Sequence, residues 1–178
     1  GAADPSWTAA DIATSADGPL DVYVADIDSD GDLDIVSGSY NDDTIAWYEN
    51  DGAADPSWTA ADIATSADGP HSVYVADMDG DGDLDIVSAS INDDTIAWYE
   101  NDGAATWTPA FTKANIDSNF FSSPFDVHHG DFDNDGDIDI VLLEYKMHRS
   151  RTERGTPGPQ SENYTVHIYE NDGAVNPS

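Results

Sequence analysis

Fifteen aspartates stand in three groups of five. The first is Asp26, Asp28, Asp30, Asp32 and Asp34; the second is Asp77, Asp79, Asp81, Asp83 and Asp85; the third is Asp131, Asp133, Asp135, Asp137 and Asp139. In each group the carboxylates alternate over nine positions, and a glycine (Gly31, Gly82 or Gly136) holds the sixth. Five like charges this close repel one another and disfavour a compact loop unless a cation lies among them. Ca²⁺ takes six to eight oxygens at flexible geometry, and alternate residues of a tight turn can supply them. The glycine has no Cβ to resist the positive φ that such a turn needs. The spacing therefore predicts three Ca²⁺ loops.

The segments that must position these loops read as strands. Residues 22–25 run into the first loop and residues 33–37 run out of it, both short and alternating in polarity. Asn41-Asp42-Asp43 marks a turn. Residues 44–49 form a third strand, ended by Asn50-Asp51-Gly52, and residues 58–63 a weaker fourth. The second set of strands is expected at 73–76, 84–88, 95–100 and 107–112, and the third near 125–129, 138–144 and 164–170. No window carries a capped amphipathic helix, which argues against an EF-hand, where helices flank the loop.

The chain is a tandem array within a single domain, 1–178. Residues 1–51 and 52–102 align without gaps and are identical at 45 of 51 positions. A diverged third copy spans 103–172 and carries an insertion at about 144–163; residues 173–178 resemble the start of a fourth. Four short strands at a period of about 50 residues indicate propeller blades. The pattern Val-Ala-Asp-x-Asp-x-Asp-Gly-Asp-x-Asp-Ile-Val resembles the FG-GAP/VCBS repeat of integrin α-chain propellers and many secreted bacterial proteins. The resemblance covers all three copies. It implies an all-β, β-propeller-type fold of three four-stranded antiparallel blades, each holding Ca²⁺ between its first and second strands. It further implies side-chain ligands at loop positions 1, 3, 5 and 9, with Asp32, Asp83 and Asp137 at position 7 offering their backbone carbonyls. Role does not follow from such a fold.

Three blades cannot close a propeller, which has about four to eight. The third copy lacks a fourth strand, while residues 7–12 read as a fourth strand without a blade. An unpaired edge is a template for another chain. The expectation is head-to-tail self-assembly into a ring or fibre, with the N-terminal strand of one chain completing the third blade of the next. The alternative is a fragment of a longer multi-repeat surface protein.

Composition narrows the partners. The net charge is −32 and the pI about 4.1, so the basic footprint that nucleic acid requires is missing. With 39% hydrophobic residues the chain has the material for a core, and no apolar run is long enough for a membrane span. There is no Cys to indicate a redox compartment. Loops of this kind suit millimolar extracellular Ca²⁺, which places the protein outside the cell, secreted or on the surface. Four of the five basic residues, Lys146, Arg149, Arg151 and Arg154, lie in the insertion. Its Gly155-Thr156-Pro157-Gly158-Pro159 reads as a flexible excursion before the last strand resumes at Tyr164. A basic finger on so acidic a body could dock on a neighbour's carboxylates. Asn163-Tyr164-Thr165 is a glycosylation sequon.

No nucleophile–base arrangement emerges, and the aspartates are committed to equivalent loops, so the chain does not read as an enzyme. His128 and His129 read as a structural pair at a strand end. Trp7, Trp47, Trp58, Trp98 and Trp107 recur at repeat positions, which means blade packing. The competing function is a lectin-like module whose tryptophans stack on glycan rings. The favoured one is a structural or adhesive calcium-binding repeat protein.

Overall fold

A computed structural model of the 178-residue chain describes residues 9–103, 111–118, 123–151 and 157–173. Every element in them is an antiparallel strand. Sheet one is β1 (Pro19–Ala25), β2 (Asp34–Ser39), β3 (Thr44–Asn50) and β4 (Trp58–Ala64), in that spatial order. Sheet two repeats it with β5 (Pro70–Ala76), β6 (Asp85–Ser90), β7 (Thr95–Asn101) and β8 (Phe111–Asp117). Sheet three has three strands among the described residues: β9 (Ser123–Gly130), β10 (Asp139–Arg151) and β11 (Pro157–Tyr169). The array is an open, propeller-like meander. Each sheet pairs strands consecutive in sequence, so register follows the period-two pattern.

The blades stack face to face. One apolar cluster joins Ile27, Val36, Ile45 and Trp47 of the first sheet to Val73, Val75, Ile86 and Tyr99 of the second. Another joins Met78, Val87, Ala89 and Ile96 of the second to Val127, Ile140 and Leu142 of the third. Trp47 is almost fully buried, as its repeat position predicts. The link from β4 to β5 is fixed at Asp43, whose carbonyl accepts the Ala67 amide and whose Oδ1 accepts that of Gly69, both at 2.9 Å.

Three expectations need correction. The outer strand of the second sheet, expected over 107–112, runs on to Asp117; residues 107–110 lie outside the described residues, and Phe111 pairs with Asn101 as Trp58 pairs with Asn50. Trp107 lies outside the described residues, so Phe111 takes the position that periodicity assigned to a tryptophan. The insertion is paired strand over its described residues, while 152–156, with Gly155 and Thr156 of the expected excursion, lie outside them. Strands β10 and β11 continue as a hairpin through Lys146↔Asn163, His148↔Ser161 and Arg151↔Pro157. Its prolines fall where a sheet tolerates them: among the described residues β11 is an edge strand, and its ladder with β10 shifts register between Arg149 and Arg151. The third expectation concerns residues 7–12: Trp7 and Thr8 are outside the described residues, and residues 9–12 form no strand.

Candidate metal centres

Each acidic loop links the first two strands of its sheet and is built from the same four sets of hydrogen bonds. The position-one carboxylate accepts the amide of the position-six glycine: Asp26 from Gly31 at 3.1 Å, Asp77 from Gly82 at 3.1 Å and Asp131 from Gly136 at 3.2 Å. Position three accepts from position five, as in Asp28 from Asp30 and Asp133 from Asp135. Position five accepts from position seven, as in Asp30 from Asp32 and Asp81 from Asp83, both at 2.9 Å. The glycines take φ of +99° at Gly31 and +101° at Gly82 and Gly136, a region closed to residues with a Cβ.

Position nine does a different job. Asp34, Asp85 and Asp139 are fully buried. Asp34 accepts the amide of Ile27 at 3.1 Å on Oδ2 and that of Asn50 at 2.9 Å on Oδ1. Asp85 does the same for Met78 and Asn101, and Asp139 for Phe132 and Asn171. One carboxylate thus ties the start of its loop to the end of the third strand. Burial pushes Asp34 above the usual carboxylate range and Asp85 up to about 6.

The structure gathers the position-one and position-three carboxylates of every loop. Ligand atoms of Asp26, Asp28 and Asp30 lie within 4.8 Å of one another, as do those of Asp77, Asp79 and Asp81 and those of Asp131, Asp133 and Asp139. Asp34 and Asp85 stand outside the tight sets of their loops, whereas Asp139 belongs to its own. Burial, followed by repulsion from the neighbouring carboxylate at position five, raises Asp28 and Asp79. Position seven turns away: the carboxylates of Asp32, Asp83 and Asp137 lie against the α-carbons of Gly52, Gly103 and Gly173. This agrees with a backbone rather than a side-chain contribution at that position.

The residues fit a hard cation. The donors are all oxygens, which suits Ca²⁺ and not the softer metals that select nitrogen or sulfur. Asp26 Oδ1 is buried without a hydrogen-bond partner, the condition of an oxygen whose remaining partner is an ion. His128 and His129 take no part: His128 lies 3.4 Å from Asp126, and His129 Nε2 accepts the Tyr74 hydroxyl at 3.0 Å. Tyr74 in turn accepts the Tyr23 hydroxyl at 3.0 Å, so a polar chain crosses the three inner strands. It needs His129 Nε2 unprotonated, and burial, then His128, holds that ring below its ordinary pKa.

The FG-GAP-like repeat profile matches residues 26–88 and 78–142, which together take in all three acidic loops. The chain belongs to the FG-GAP-like repeat family. No curated protein matches the sequence. Repeats of this family often bind calcium and are typically extracellular. Among the described residues no helix is long and apolar enough to cross a membrane.

Two features of these FG-GAP-like blades escaped the sequence reading. The closing asparagine is one: Asn101 Nδ2 donates to the carbonyl of Leu84 in its own loop at 3.2 Å and to that of Ile27 in the preceding blade at 3.3 Å. Asn171 repeats this toward Ile138 and Met78. The other is position four, where Ser29, Gly80 and Asn134 all take positive φ. A serine, a glycine and an asparagine at one repeat position was the available signal.

Proposed function

We propose that the three loops bind Ca²⁺ and that the chain is a calcium-stiffened structural or adhesive module of a secreted or cell-surface protein. One observation carries this: three times over, a glycine-pinned loop brings three carboxylates within 4.8 Å of one another. Asp26, Asp28 and Asp30 in the first loop, Asp77, Asp79 and Asp81 in the second, and Asp131, Asp133 and Asp139 in the third would hold the ion. The ion supplies two positive charges against the repulsion of five aspartates. The protein supplies the rest. Its position-nine carboxylate transmits order in the loop to the third strand, so occupancy stiffens a whole blade.

Ligand that binds only the folded state adds RT ln(1 + [L]/Kd) per site, about 1.4 kcal/mol at tenfold excess over Kd. Three such sites are large against a total stability of about 5–15 kcal/mol. Thermal melts in Ca²⁺, Mg²⁺ and chelator test the reading. Ca²⁺ should raise the melting temperature well above the chelator value, and Mg²⁺ should rescue poorly because it demands a smaller octahedral shell. Identical melts in all three would refute it.

A second reading has its own observation. A cleft of about 640 Å³ opens between the second and third blades, lined by Trp98, Tyr169, Asp79, Glu100 and Glu170. Aromatic rings beside carboxylates suit the faces and hydroxyls of a glycan. Titrating tryptophan fluorescence with a sugar panel separates the two: saturable quenching favours a lectin, and a flat response favours the scaffold.

A further inference from the structure

We propose that the outer face of the third blade docks on the outer face of the first blade in a second copy of this chain, head to tail. The contact is one that the molecule already makes twice within itself, and the proposal does not depend on metal binding.

Each blade has a face toward its predecessor and a face toward its successor. On the second blade the backward face places Val73 and Val75 against the first blade, 2% and 4% exposed. The same positions on the first blade are Val22 and Val24, 59% and 52% exposed, with Leu33 beside them. On the second blade the forward face places Met78 and Ile96 against the third, both buried. Their equivalents on the third blade are Phe132 and Val166, and both are exposed. Ile168, opposite Val141 as Trp98 is opposite Val87, is exposed as well. The exposed side chains therefore form two patches at opposite ends of the stack. Each is the repeat-equivalent of half of a buried interface, so one patch is shaped for the other.

A polar series leads to the same pairing. Asn101 Nδ2 reaches back to the carbonyl of Ile27, and Asn171 Nδ2 to that of Met78, each at loop position two of the preceding blade. The next acceptor in the series is the carbonyl of Phe132. The donor in register with it is Asn50, whose Nδ2 bonds Leu33 within its own blade at 3.0 Å. Docking third blade to first sets Asn50 of one copy at Phe132 of another, repeating the internal bond. Apolar burial supplies the attraction and the asparagine fixes the register. Because both partners are strongly acidic, salt should strengthen the contact.

Sedimentation of the full chain over a range of concentrations, with Val24→Asp and Ile168→Asp as single variants, tests this. Both sites are exposed, and unchanged circular dichroism would show that the variants fold. Wild type should show mass above one chain, rising with concentration, whether the product is a ring or a filament. Each variant has one dead face and should lose self-association more than about tenfold, the effect of some 1.4 kcal/mol. An equimolar mixture retains one competent pair of faces and should give two chains and nothing larger. A wild type of one-chain mass throughout, or either variant associating like wild type, would overturn the proposal.

Discussion

Asp85 Oδ1 accepts the backbone amide of Asn101 at 2.8 Å, joining the start of β6 to the end of its neighbour β7. Its Oδ2 takes the Met78 amide at 3.0 Å, so a single buried side chain closes the loop on the sheet. Both donors would be stranded away from water without it, and a stranded buried donor costs about 1–3 kcal/mol. Asp85→Ala should therefore destabilise the metal-free protein by about 2–4 kcal/mol in chemical denaturation. Asp81→Ala removes an exposed carboxylate from a repulsive cluster and should be neutral or stabilising in the same chelator. Equal losses would mean that position nine has no special structural role.

The closing asparagines allow a comparison inside one molecule. Asn101 bridges two carbonyls, one of them in the neighbouring blade, and is buried. Asn50 occupies the same place but bonds only within its own blade. Asn101→Ala should cost about 1 kcal/mol more than Asn50→Ala, the worth of a typical hydrogen bond. Urea midpoints of the two variants at low protein concentration would show it, and matched midpoints would remove the inter-blade role.

Within a loop, positions three and seven should separate. Asp28 stands in the tight carboxylate set, and Asp32 packs against Gly52. Asp28→Ala should lower the calcium stoichiometry by one, whereas Asp32→Ala should leave it unchanged because the position-seven carbonyl survives. A loss of one ion in Asp32→Ala would make that side chain a ligand.

The strands and loops were legible because each rests on local pattern. Alternating polarity around residues 22–25 and 33–37, and aspartates at fixed spacing with glycine sixth, need no tertiary knowledge. The outer strand of the second sheet ends too early in the sequence reading because periodicity anchors it on Trp107, while the ladder sets Phe111 opposite Asn101 and runs to Asp117. The insertion reads as loose in sequence because Pro157 and Pro159 are breakers in isolation, whereas the edge strand β11 includes both. The asparagine bonds were out of reach for another reason. Asn101 and Ile27 are 74 residues apart, and Asn171 and Met78 are 93 apart. The Asn-Asp-Gly sequence looks like any turn until the neighbouring blade is in place. The separate place of position seven is not legible from spacing, since five alternating aspartates look alike in sequence; only the folded loop sets the Asp32 carboxylate against Gly52.

The central claim is that clustered aspartates are calcium sites. Isothermal titration of the chelator-stripped chain with Ca²⁺ tests it most directly. The account predicts saturable uptake of three ions per chain, with affinities in the range of extracellular modules, about 10⁻⁴–10⁻³ M. Heat no different from buffer dilution at millimolar Ca²⁺, on a chain shown to be folded, would contradict it.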